Sequence, residues 1–133
     1  MLDPSDVYLR KAQQSLQGAE SEAEAGRYDN CANRCYYACF QAAVAALLRA
    51  GIRPSGMRGE WSHATVPAQF AGMLIARRKL YSSDLKDTLG RAYALRQIAD
   101  YQSRTISYAQ ADRILRNAAM FVNAIVEREG GAT

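Results

Sequence analysis

A single histidine, His63, serves the whole 133-residue chain. Every histidine-based mechanism therefore rests on that one position, which lies beside Ser62 and Thr65 ahead of a helix. A lone loop histidine is commonly inert, and a catalytic role requires the fold to bring it within hydrogen-bond reach of a substrate. Cysteine is nearly as scarce. Cys31, Cys35 and Cys39 fall one turn apart on one helix face, which does not suit a disulfide framework. An odd, helical set of thiols fits a reducing, cytoplasmic setting. Three ligands on one interior stripe cannot wrap a zinc ion tetrahedrally, so no metal and no cofactor are expected. Read instead as small apolar residues, the cysteines need no further role. The chain also lacks a Gly-rich phosphate loop, a carboxylate cluster, a nucleophile elbow, a strand-like alternation and any repeat. Asp3, Asp6, Arg10 and Lys11 break up what would be the apolar part of a signal peptide, so none is expected.

What the chain does have is one stretch, Asp29 to Gly51, that is apolar almost all round. A surface helix carries one apolar stripe, whereas a helix apolar on every side is buried on every side. Its Ala and Cys residues allow close backbone approach, and Tyr36, Tyr37 and Phe40 fill the remaining space. Asn33, Arg34 and Gln41 interrupt it, and its aliphatic run is too short to span a membrane.

Four further helices are expected around this one. Asp3-Pro4 supplies a cap and first position for a helix carrying Tyr8, Leu9, Ala12, Leu16, Ala19 and Ala23, which Gly26 stops. Asp29 is the expected cap of the central helix. The Gly-, Pro- and Arg-rich segment 52–61 reads as a loop. A shorter helix starts near Val66 or Pro67 and runs to about Leu80, with Val66, Phe70, Met73 and Leu74 inward. Ser82, Ser83 and Asp84 cap a fourth, which runs to about Ser103 with Leu85, Leu89, Ala92 and Ala99 inward. Ser107 and Gln110 have capping-box spacing for a fifth. Its seam reads Tyr108, Ala111, Leu115, Ala118, Val122 and Ile125, and Gly130-Gly131 ends it. The fold class is all-α, an up-and-down bundle of four to five helices in one domain over 1–133.

Charge is unevenly spread. Residues 1–48 balance at −2, residues 49–104 at +6, and residues 105–133 at zero. Fourteen of the 17 basic residues are arginine, the type suited to bidentate phosphate contacts. Either a phosphate-bearing partner or a solvated basic face accounts for this. At about 100° per residue, Arg96 falls in the middle of the fourth helix's apolar face, with Asp100 and Arg104 stacked one turn apart behind it. An unpaired guanidinium on a core-facing stripe is costly, so it is paired or it lines a cavity. Arg96–Asp100 is then either a structural pair or dimer contact, or part of an anion or RNA site. Asp100 partly cancels the charge that Arg96 offers a phosphate. Tyr101 lies about 140° around the helix from Arg96, which predicts that the two do not share one site on the same helix.

The segment Asn33-Arg34-Cys35-Tyr36-Tyr37-Ala38-Cys39-Phe40-Gln41-Ala42-Ala43, followed by Ala46-Leu47-Leu48, resembles the second helix of HEPN-domain proteins. His63 with Phe70 resembles the opening of that family's third helix, and Arg96-Gln97-Ile98-Ala99-Asp100-Tyr101 its Arg-x-x-Ala-Asp-Tyr element. The resemblance implies a helical bundle that forms a homodimer, with the fourth helices facing across a cleft. It also implies a nucleotidyltransferase partner. Many members are metal-independent endoribonuclease toxins whose motif is an Arg followed, four to six residues on, by a His. Here Gln97 to Arg104 contain no His, and Tyr101 is a poor proton carrier near neutrality, with an ordinary pKa of about 10.

Three readings stay open. One is a dimeric RNA- or nucleotide-binding partner of a nucleotidyltransferase in a toxin-antitoxin or defence-type system, with Arg96 and Arg104 on phosphate. Another is a working endoribonuclease toxin using Arg96, Asp100 and Tyr101, with His63 recruited from the neighbouring helix. The last is a structural bundle with an internal Arg96–Asp100 pair and no ligand.

Overall fold

The computed structural model describes residues 3–54 and 59–130. Five α-helices make up the described chain, and no strand occurs among the described residues. α1 spans Pro4–Glu24 and α2 spans Tyr28–Arg49. α3 begins as Thr65–Gln69 and widens into π-type hydrogen bonding over Phe70–Arg77. A single 3₁₀ turn, Ser83–Leu85, precedes α4 at Thr88–Tyr101. α5 spans Tyr108–Ile125 and ends in a second π-type turn, Val126–Gly130. The expected all-α bundle is the observed one. Of the 52–61 loop, residues 55–58 lie outside the described residues, as does Gly131 of the expected C-terminal stop.

α2 is the hub, packed against each of the other four helices. Cys31, Ala32, Cys35, Tyr36, Ala38, Cys39 and every residue from Ala42 to Leu47 are buried. All three cysteines are free thiols with no exposed surface, as their packing reading requires. Burial pushes the Cys39 thiol well above its ordinary pKa, so it stays protonated and unreactive.

Helix ends follow local chemistry. Asp3 caps α1 by accepting from the Ser5 N–H at 2.9 Å. Gly26 and Gly51 both sit at positive φ, 78° and 79°, immediately after α1 and α2. In each case the following residue donates its N–H to the helix's last turn, Arg27 to the Glu22 carbonyl and Ile52 to the Leu47 carbonyl, both at 2.9 Å. These are glycine-terminated Schellman ends. α3 ends differently, with Lys79 in the left-handed region at φ 52°. At α5 the reciprocal box is complete: Ser107 Oγ accepts from the Gln110 N–H, and Gln110 Oε1 accepts from the Ser107 N–H.

Four expectations need correction. Asp29 does not cap α2, whose N-cap is Arg27 without a side-chain bond. One turn position inside the helix, Asp29 instead turns across the bundle and accepts from the Ile106 N–H at 2.8 Å. It thereby fastens the α4–α5 connection to the start of the hub. α4 begins at Thr88 because Ser82 caps a separate 3₁₀ turn that carries Leu85 into the core. It ends at Tyr101, two residues early, where Gln102 turns extended. On α5 the seam includes Ile114 and Phe121, while Tyr108 is 65% exposed and rests edge-on against Tyr28. The apolar face is wider than one three-four line, because α5 meets both α1 and α2.

Two outcomes test this architecture. Cys31, Cys35 and Cys39 react with a thiol reagent only as fast as the folded protein opens, and fast labelling of native protein contradicts their burial. Asp29→Ala orphans the Ile106 amide and lowers unfolding free energy by about 1 kcal/mol in chemical denaturation, where an unchanged midpoint contradicts the fastening role.

Candidate functional site

Two helical stripes face one another near the outer ends of α2 and α4. On α2, Asn33, Tyr36, Tyr37 and Phe40 recur at spacings of three and four, a line distinct from the Cys31-Cys35-Cys39 stripe. On α4, Tyr93, Arg96, Gln97, Asp100 and Tyr101 do the same. His63 reaches the cluster from the turn before α3.

Arg96 is the centre. Its guanidinium carbon lies 5.2 Å from the Tyr36 ring centroid, 5.3 Å from that of Tyr37 and 5.9 Å from that of Tyr101. Only 11% of its side chain is exposed, against 26% for Asp100. Arg96 Nε donates to Asp100 Oδ2 at 3.2 Å. The same oxygen accepts from Asn33 Nδ2 at 3.0 Å, so α2 and α4 share one carboxylate. One Nη of Arg96 donates to the Tyr101 hydroxyl at 3.4 Å. Its other Nη has no partner among the described residues.

Tyr101 therefore joins the site that helical angle alone denied it. It is the last residue of α4, and helical side chains lean back toward the N-terminus, so its long ring reaches the equally long Arg96. Arg104 goes the other way. With α4 ended at Tyr101, the expected stack of Arg96, Asp100 and Arg104 is not continued. Arg104 is exposed on the following segment and donates to Gln102 Oε1 at 3.1 and 3.3 Å.

His63 is exposed at one edge, as its position suggested, but it is not isolated. Its ring centroid lies 5.3 Å from Tyr36, 5.2 Å from Phe40 and 5.9 Å from Tyr93. The Tyr36 hydroxyl and His63 Nδ1 form a hydrogen bond. Burial raises the Tyr36 hydroxyl above its ordinary pKa, although the Arg96 charge pulls the other way. Tyr36 thus stays protonated, and its hydroxyl holds the imidazole through Nδ1. Covering by the aromatic rings, and then the Arg96 charge, hold His63 below the usual histidine range. Tyr93 Oη accepts from Gln97 Nε2 at 2.5 Å, which steadies the ring that touches both Tyr36 and His63.

Sequence reasoning placed Arg96, Asp100, Tyr101 and His63 but treated Tyr36 and Tyr37 as filling and left Asn33 and Tyr93 without a role. Their signal was the polar-aromatic line of α2, which runs beside the small-residue stripe rather than along it. Chemically, the arrangement offers a largely covered cation, the exposed Tyr101 ring and an imidazole held toward its neutral form at one edge. Among the described residues no group of His, Cys, Asp or Glu could hold a metal ion.

Because His63 is the only histidine, its titration is directly readable by NMR. Its pKa lies below about 6.5 and rises toward that value in Arg96→Gln, where the repelling charge is gone. The folded protein resists protonating His63 more than the unfolded chain does. Its stabilising contribution is complete above the unfolded value and is lost as pH falls from there through the lower folded one. A His63 pKa at or above 6.5 contradicts this geometry.

A family model for the HEPN domain matches residues 5–129. The chain is 33% identical over 122 residues to the "UPF0332 protein" of Archaeoglobus fulgidus, which covers 91% of each chain. It is 30% identical over 116 residues to a protein of Methanocaldococcus jannaschii named a "Putative toxin", covering 86% of this chain and 74% of that one. No helix among the described residues is long and apolar enough to cross a membrane. The helical bundle, the α2 and α4 stripes and the match along nearly the whole length agree, and this protein belongs to the HEPN-domain family.

Proposed function

We propose that this protein is a toxin-type HEPN protein that binds RNA through the Arg96 cluster, acts as a homodimer and pairs with a nucleotidyltransferase in the cytoplasm. The observation that carries the reading is the placement of the Arg96 guanidinium against Tyr36, Tyr37 and Tyr101, with one Nη unpartnered among the described residues. A cation held over aromatic rings beside accessible ring edges is the combination that single-stranded nucleic acid uses, charge for phosphate and ring faces for bases. Tyr101 is 69% exposed and has a face to offer a base or a second subunit. The Asp100 carboxylate tempers the charge, and Asn33 shares its attention with Arg96. Tyr101 and His63 are the exposed edge of an otherwise covered cluster, which suits a cleft completed by a second copy. The relative named as a toxin supports the toxin-type role.

One observation favours a second reading, RNA cleavage. The α4 motif lacks its own histidine, yet His63 reaches the Arg96 cluster through Tyr36. His63 then carries the proton transfer, and Arg96 stabilises charge developing on phosphate.

Binding of a labelled single-stranded RNA, read by anisotropy, tests the first reading. Arg96→Ala weakens it at least tenfold while costing about 1–2 kcal/mol of stability, the range for a partly desolvated cation–π contact. Unchanged RNA binding with a lowered melting temperature leaves Arg96–Asp100 a structural pair and removes the proposal. Incubating purified protein with RNA in chelator tests the second reading. Cleavage that disappears in His63→Ala supports it, and intact RNA with the unmutated protein ends it.

A further inference from the structure

Arg34 occupies the opposite side of the Arg96 cluster and has no place in the account so far. Its guanidinium carbon lies 5.2 Å from the Tyr37 ring centroid, while that of Arg96 lies 5.3 Å from the same centroid. Two cations therefore share one ring. Arg34 is oriented by its neighbours. Nε and one Nη donate to Asn33 Oδ1, at 3.1 and 2.7 Å, and its stem passes over Gly18 of α1. Asn33 is the same residue whose amide nitrogen holds Asp100, so one side chain orients both arginine partners.

The two arginines differ in one respect. Arg96 shares its charge with Asp100, whereas Arg34 has no carboxylate partner among the described residues. Glu22 lines the small hollow next to Arg34 with Asn30 and Asn33, and its Oε2 is bound to Arg27 at 2.5 Å and accepts from Asn30 at 3.3 Å, not from Arg34. Arg34 thus presents an oriented positive charge with one Nη unpartnered among the described residues. Holding a long, flexible cation in one geometry costs side-chain entropy, and a guanidinium fork fixed in advance loses less on meeting a phosphate.

We propose that Arg34 is a second phosphate contact of this site, so that its ligand is a single-stranded RNA segment spanning consecutive phosphates rather than a mononucleotide. This rests on the RNA-binding reading above and adds the size of the ligand to it. In this arrangement the backbone runs from Arg96 past Tyr37 to Arg34, and the Tyr37 ring lies between the two phosphate positions.

The test compares a labelled single-stranded RNA ten-mer with a nucleoside monophosphate over a range of salt concentrations. Arg34→Gln weakens the RNA roughly five- to tenfold at low salt and lowers the slope of log K against log salt by about 0.7, one phosphate's share on a single strand. Its affinity for the monophosphate changes by less than about twofold, and Arg34→Lys recovers most of the salt slope. RNA affinity and slope unchanged in Arg34→Gln, while Arg96→Ala still abolishes binding, overturns the second contact and leaves the RNA-binding reading intact. Equal losses for RNA and monophosphate overturn the two-phosphate ligand. Binding that survives both substitutions overturns the RNA-binding reading and this inference with it. Arg34 is exposed, so a melting temperature unchanged from the parent accompanies each measurement.

Discussion

A helix enclosed on every side exists only if its own side chains are small enough for its neighbours to come close. That constraint governs this protein. Along α2, alanine and cysteine alternate with a few large rings, and α1, α3, α4 and α5 all pack against them. Close packing of this kind leaves few voids and gives the hub one rigid position. Helix ends are then fixed by local devices: left-handed glycines after α1 and α2, a serine capping box on α5 and the Asp29 carboxylate on the Ile106 amide. The last of these ties the segment after α4 to the first turn of α2.

Rigidity matters because the candidate site lies on the rim of that hub. Arg96 is a charge in a mostly dry position, and such a charge needs partners. It finds them in three forms: the faces of Tyr36, Tyr37 and Tyr101, the carboxylate of Asp100 and the Tyr101 hydroxyl. None of these quenches it fully. Asp100 divides its hydrogen bonding between Arg96 and Asn33, and aromatic faces attract a cation without neutralising it. The same surroundings act on His63. Rings that cover it and the charge of Arg96 both favour the neutral imidazole, so the site sets a permanent cation beside an imidazole that resists taking a charge.

The RNA-binding proposal rests on this combination of cation and rings, which α2, α4 and the turn before α3 assemble together. The HEPN family and a relative named as a toxin give that chemistry a setting.

Helix number, the hub and most inward faces were legible in the sequence, because burial is written into apolar periodicity and helix ends into Gly, Ser and Asp. Arg96 and Asp100 were legible too, since a charge on an apolar stripe contradicts the pattern around it. Tyr36, Tyr37 and Asn33 were not: a tyrosine that fills a core and one that carries an arginine look alike until the facing helix is in place. Helical angle misjudged Tyr101 because it locates Cα–Cβ directions and says nothing of long side chains folding back at a helix end. It also ran α4 to about Ser103 and stacked Arg104 on Asp100, whereas Gln102 turns extended and the helix stops at Tyr101. Local sequence thus determined which elements form and which faces they bury. Tertiary structure alone decided which residues meet across α2 and α4, because those meetings depend on distances between elements that no single element encodes.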